Sequence, residues 1–145
     1  MQTRTIWKEK MAFSGEAHNQ SVPLDSKPPL GKANGFTPKE LVSLAIAGCT
    51  AMDVVALLKK FKQPVDSFEV ISDVEVTEGV HPAVFKHVSL TFNLTGAIDK
   101  SHATKAVELS QTRYCGVSAM ISKVAPISYR IILNGEEIGT GQATF

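Results

Sequence analysis

One long apolar segment in the middle of the chain constrains the fold more than any other feature. Thr37-Pro38-Lys39-Glu40 is typical of a helix start, with Thr at the N-cap, Pro in the first turn and Glu three residues after the cap. The helix is predicted to run through LVSLAIAGCTAMDVVALLKKFK and to stop at Pro64. A helix of about 25 residues spans roughly 38 Å. Because Leu41 to Leu58 is apolar nearly all round, we expect burial on several sides and a partner subunit.

Strand-like segments lie on both sides of this helix in the sequence. They comprise Thr5–Trp7, Met11–Ala17 and Ser21–Leu24 before it, Phe68–Thr77 and Val84–Thr95 after it, and Ile127–Leu133 near the end. The Pro- and Gly-containing segment from Asp25 to Phe36 is predicted to be a loop. A second helix is predicted from about Lys100 to Val124, capped by Asp99 or Ser101. This order predicts an α+β fold with antiparallel pairing.

Composition limits the class of protein and its partners. With 145 residues, 43% of them hydrophobic and 20% charged, the chain is expected to form one globular domain, 1–145. A formal net charge of +1 with scattered lysines argues against a nucleic-acid partner. The first ten residues contain no apolar signal-peptide run, and the longest uncharged stretch, Leu41 to Met52, is twelve residues long. A membrane span needs about 20 residues, so we expect a soluble, cytoplasmic protein.

The only two cysteines, Cys49 and Cys115, are the candidate functional residues. In a reducing compartment they are expected to be reactive, metal-bound or simply buried, rather than joined in a permanent disulfide. They are 66 residues apart, no C-x-x-C occurs, and the four histidines show no ligand spacing. A structural zinc site and a thioredoxin-type dithiol are therefore not predicted. A buried packing cysteine, a reactive thiol and a Cys–His hydrolase stay open as alternatives.

Three features together resemble the OsmC/Ohr family. They are the run Thr37-Pro38-Lys39-Glu40-Leu41, the Gly48-Cys49 pair seven residues later, and Tyr114-Cys115 in the second predicted helix. The resemblance covers essentially the whole chain, and Asp53-Val54-Val55 after the first cysteine is similar to the OsmC-like branch. It implies an OsmC-like fold, in which two long central helices are flanked by sheets in an intertwined homodimer.

The resemblance also implies a chemistry. Family members that are enzymes reduce organic hydroperoxides and hydrogen peroxide with thiols. By this resemblance Cys49 is the peroxidatic cysteine, whose thiolate becomes a sulfenic acid, and Cys115 is the resolving cysteine, which condenses with it to a disulfide. A dithiol, a lipoyl group in some members, then restores the pair. No metal and no organic cofactor is implied.

Two departures from the family pattern motivate an alternative function. Family peroxidases place an arginine beside the reactive cysteine, but the matching turn near Lys8 to Met11 has only lysines, and Arg4 lies too early. Lys39 stands where the family has a catalytic glutamate, and Glu40 is explained by its capping role. The alternative is a non-peroxidase OsmC-like protein that binds a small apolar or thiol-reactive molecule in the dimer cleft. A structural dimer with inert cysteines is a third possibility.

Overall fold

The computed structural model describes residues 1–145, which form two compact units, Met1–Val42 and Ser43–Phe145. The strands are β1 (Arg4–Glu9), β2 (Ala12–Ala17), β3 (Gln20–Leu24), β4 (Ser67–Val76), β5 (Phe85–Thr95), β6 (Ile127–Leu133) and β7 (Glu136–Gln142). The helices are α1 (Pro38–Lys60), α2 (Lys100–Leu109) and α3 (Gly116–Ile121), with a π-helical turn over Ser110–Tyr114. The predicted α+β class is confirmed, and the single domain predicted for 1–145 stays a prediction.

The first unit is a three-stranded antiparallel sheet followed by a structured loop. The strand order is β1-β2-β3, as expected from the three predicted segments. In the loop, the Asp25 carboxylate accepts backbone N–H bonds from Ser26 at 2.8 Å and from Lys32 and Asn34 at 3.1 Å each. These bonds, of which the one from Asn34 has the largest effect, hold the pKa of Asp25 below its usual range.

Helix α1 begins with the predicted capping box. The Thr37 N–H donates to Glu40 Oε2 at 2.8 Å, and the Glu40 N–H donates to Thr37 Oγ1 at 3.3 Å. The helix ends at Lys60, before the predicted stop at Pro64. The capping bonds therefore explain why a glutamate stands at position 40, as the sequence predicts.

The second unit buries its core between α1, α2 and a four-stranded sheet of order β4-β5-β6-β7. Val88, Leu90, Phe92 and Leu94 of β5 are all buried, which confirms the predicted two-residue period. One pair departs from the predicted antiparallel pairing: β5 and β6 are parallel, because the helical segment between them returns the chain to the same end of the sheet. The Gly-rich tail adds β7, which pairs antiparallel with β6.

Helix α1 has two unlike faces in the single chain. Ile46, Val54 and Leu58 are fully buried in the core, whereas Leu44 and Met52 are 55% and 76% exposed. By its length and apolar composition α1 could also cross a membrane, although a part of it is buried within the chain. Its packing in one cluster with β5 and β6 is that of a core helix.

Candidate functional site

The first half of the site comes from the middle of α1. Cys49 and Asp53 are four residues apart, so both project from the same face of the helix, one turn apart. Both side chains are partly buried. Thr50, next to Cys49, is fully buried. The helix therefore presents a thiol, a carboxylate and a hydroxyl along one side.

The second half comes from a break in the second predicted helix. A continuous helix from Lys100 to Val124 is wrong: α2 ends at Leu109, five residues form the π-helical turn, and α3 begins at Gly116. Cys115 lies between them with extended backbone, φ −70° and ψ 98°. Its N–H donates to the Ser110 carbonyl at 2.9 Å, which closes the turn. Cys115 is thus the N-cap of α3, and the Ser118 N–H donates to its Sγ at 3.3 Å.

The break brings the two cysteines together. Cys49 Sγ, Cys115 Sγ and a carboxylate oxygen of Asp53 all lie within 4.8 Å of one another. Both cysteines are free thiols, Cys49 half-buried and Cys115 fully buried. No histidine belongs to this cluster, so it does not have the composition of a Cys–His hydrolase site. Thiolate sulfur and carboxylate oxygen are also atoms that can coordinate a metal ion.

A buried chain of hydrogen bonds holds the Asp53 carboxylate. The Ser110 hydroxyl donates to Asp53 Oδ2 at 3.0 Å and lies 2.7 Å from Thr50 Oγ1. The Gln111 amide donates to the same Thr50 oxygen at 2.8 Å. Ser110, Gln111 and Thr50 are each fully buried. The π-helical turn directs the Ser110 and Gln111 side chains inward, where they form hydrogen bonds to residues of α1.

The electrostatic setting keeps Cys115 protonated. Burial, with a smaller contribution from the neighbouring Cys49, raises the pKa of the Cys115 thiol to about 11, and the contacts with Ser118 offset a part of this rise. No cation is among these causes. Arg113, which the sequence places near this thiol, lies over the Tyr114 ring at 5.5 Å from its centroid. Asp53 takes part in none of the chain's five ion pairs.

The structure places the other residues weighed from the sequence in defined roles. Arg4 forms an ion pair with Glu16 at 2.7 Å, and Glu40 forms one with Lys27 at 3.3 Å besides its cap. The sequence reasoning missed two polar residues beside the thiols, Thr50 and Ser110. Gly116 directly after Cys115 was the available signal for the helix break.

Comparisons with known proteins agree on one family. Residues 31–130 match the profile of the family described as OsmC-like protein. The chain is 38% identical over 136 residues to Protein YhfA of Escherichia coli strain K12, which covers 91% of this chain and 98% of that protein.

Two solved structures share the fold. An OsmC-like protein from Mycoplasma pneumoniae aligns with a TM-score of 0.80 and 12% identity, over 91% of this chain and 95% of that one. An organic hydroperoxide resistance protein OsmC from Legionella pneumophila aligns with a TM-score of 0.69 and 16% identity, over 90% and 94%. At these identities the two alignments establish a common fold.

Proposed function

This chain belongs to the OsmC-like protein family, and from that premise we propose that it is a cytoplasmic thiol peroxidase that reduces organic hydroperoxides and hydrogen peroxide. The observation that carries the proposal is the approach of Cys49 Sγ and Cys115 Sγ to within 4.8 Å. A disulfide bond is about 2 Å long, so the sulfurs need to move by at most about 3 Å to join. The likeness to organic hydroperoxide resistance proteins supports the choice of substrate class.

The burial of the two thiols supports different roles for them. Cys115 is fully buried and its pKa is raised to about 11, so it is protonated at neutral pH. Cys49 is half-buried and is the sulfur that a peroxide can reach. Cys49 is therefore the peroxidatic cysteine and Cys115 the resolving cysteine.

The proposed cycle has three balanced steps. The Cys49 thiolate attacks the distal peroxide oxygen, the O–O bond breaks, and the alkoxide leaves as an alcohol after taking a proton. The Cys115 sulfur then attacks the Cys49 sulfenic acid, forming the disulfide and releasing water with the thiol proton. The Ser118 N–H, 3.3 Å from Cys115 Sγ, stabilises the negative charge that this sulfur develops. A dithiol such as a lipoyl group reduces the disulfide by two exchange steps.

The exposed face of α1 supports a homodimer. Leu44 and Met52 are apolar and largely exposed, and apart from the adjacent backbone of α1 no atom lies within 4 Å of where a Cβ on Gly48 would stand. An apolar face of this kind on a central helix is typical of a surface that another subunit covers.

The surroundings of the thiols favour one alternative. Asp53 lies within 4.8 Å of both sulfurs, and no guanidinium is among the groups that shift the pKa of Cys115. A thiol pair without an activating guanidinium suits a protein that binds an apolar or thiol-reactive molecule better than a fast peroxidase. The pH dependence of Cys49 alkylation by iodoacetamide distinguishes these two functions. If the chain is a peroxidase, we expect Cys49 to react at neutral pH. If it is a binding protein, we expect Cys49 to react only at alkaline pH.

A coupled assay tests the proposed function directly. The reduced protein is given cumene hydroperoxide with dihydrolipoamide as the dithiol, and alcohol formation is followed. We expect turnover that Cys49→Ser abolishes and that Cys115→Ser limits to one turnover, with the sulfenic acid trapped by dimedone. Absence of turnover, or turnover unchanged in Cys49→Ser, contradicts the proposal.

A further inference from the structure

We propose that Cys49, Asp53 and Cys115 form a reversible zinc-binding site, and that the bound ion holds both thiols in an unreactive form. The three residues each offer one ligand atom, and these atoms lie within 4.8 Å of one another. This inference does not depend on peroxidase turnover, since it concerns binding of Zn²⁺ by the reduced chain.

The separation of the ligand atoms is close to what zinc needs. In a tetrahedral site, two thiolates about 2.3 Å from the ion lie about 3.8 Å apart, and a carboxylate oxygen lies slightly closer. The three atoms are within 4.8 Å, so small rotamer changes of about 1 Å complete the geometry. Two soft sulfurs and one carboxylate oxygen favour Zn²⁺ over Mg²⁺ or Ca²⁺, which prefer oxygen ligands alone. The fourth position stays open to water.

Hydrogen bonds to the ligands are already in place. The Ser110 hydroxyl binds Asp53 Oδ2 at 3.0 Å, which leaves Oδ1 free to coordinate. Thr50 lies 2.7 Å from the Ser110 hydroxyl and accepts from Gln111 at 2.8 Å, so the carboxylate is held by a buried chain. The Ser118 N–H, 3.3 Å from Cys115 Sγ, favours the thiolate form that a metal ligand must adopt. Such outer contacts orient the ligands of metal sites.

The charge balance also favours a cation. Asp53 takes part in none of the five ion pairs of the chain, so no lysine or arginine within 4.0 Å competes for its carboxylate. Two thiols and one carboxylate together bind a divalent ion with release of the two thiol protons. Once its lone pair is bound to zinc, the Cys49 sulfur is not free to attack an electrophile, and removal of the ion restores the thiols.

The experiment titrates the reduced, full-length protein with Zn²⁺ against a chromophoric chelator, and repeats the titration with Co²⁺. We expect one ion per chain, sulfur-to-cobalt charge-transfer absorption, and slower alkylation of Cys49 that EDTA reverses. Cys49→Ser and Cys115→Ser should weaken zinc binding by at least about 100-fold, and Asp53→Asn and Ser110→Ala by about 10-fold. Asp73→Asn is the matched control, because Asp73 is an exposed carboxylate on β4.

Three results would overturn the site. The first is zinc affinity in Cys49→Ser equal to that of the unchanged chain. The second is an equal affinity in Asp53→Asn and Asp73→Asn. The third is an alkylation rate of Cys49 that saturating Zn²⁺ leaves unaltered. If a cysteine variant fails to fold, the unchanged chain alkylated with N-ethylmaleimide replaces it, and undiminished zinc binding there is equally contradictory.

Discussion

Replacing Ser110 with alanine tests the buried chain of hydrogen bonds that positions the site. The Ser110 hydroxyl makes two contacts, 2.7 Å to Thr50 and 3.0 Å to Asp53, in a fully buried position. The bond between two hydroxyls is worth about 1 kcal/mol, and the one to a partly exposed carboxylate about 1.5 kcal/mol. A part of this is regained because alanine buries no polar group, so the free energy of unfolding should fall by about 2 kcal/mol. In a chain of this size the Tm should fall by about 4–8 °C.

Urea unfolding followed by circular dichroism measures this change, with all variants at one protein concentration. Ser122→Ala is the matched control, since its hydroxyl makes one contact of 3.0 Å, to the Ala119 carbonyl within the same helical turn. The control should lose less than about 1 kcal/mol. In a double-mutant cycle, Ser110→Ala and Asp53→Asn should show a coupling energy of about 1 kcal/mol. Equal losses in Ser110→Ala and Ser122→Ala, or additive losses in the cycle, would refute the network.

Three further predictions follow from other parts of the structure. The pKa of Cys115 is raised to about 11 in the folded chain, so the protonated thiol contributes fully to stability below the pKa that it has in the unfolded chain, and this contribution falls as the pH rises towards 11. Between pH 8 and pH 10 the free energy of unfolding of the unchanged chain, measured with urea, should fall by about 1 kcal/mol more than that of Cys115→Ser. Equal losses in the two proteins would contradict the burial of this thiol. Thr37→Ala removes half of the capping box and should cost about 1 kcal/mol, whereas the exposed control Thr3→Ala should cost nothing measurable. Met52→Glu places a charge on the exposed face of α1 and should convert a dimer to monomers, as measured by analytical ultracentrifugation. Lys60→Glu, at the end of the helix, should leave the dimer intact. Dimers in both variants would exclude this face as the interface.

The sequence predicts the parts of this fold that depend on local signals. The start of α1 follows from Thr37, Pro38 and Glu40 alone, and β5 follows from the alternation of Val88 to Leu94, because caps and side-chain periods act within a few residues. The sequence also predicts the two cysteines as the candidate site, and the structure brings their sulfurs together.

The break in the second helix could not be derived from hydrophobic periodicity. A helix that continues through Cys115 would carry Tyr114 and Val124 on its apolar stripe, but both are exposed. The π-helical turn exists because Ser110 and Gln111 bond to Thr50 of α1, 60 and 61 residues away in sequence. A polar partner so distant leaves no periodic signal. The same holds for the hydrogen bond from Ser110 to Asp53, which joins residues 57 positions apart.

The most direct test of the central claim is the covalent state of the two cysteines after one equivalent of cumene hydroperoxide. The reduced protein is treated, blocked with iodoacetamide and mapped without reductant by mass spectrometry. The account predicts an intramolecular Cys49–Cys115 disulfide, with the loss of two hydrogen atoms per chain and recovery of both thiols on addition of dihydrolipoamide. Two alkylated, unoxidised cysteines, or an oxidised Cys49 beside a free Cys115, would contradict it.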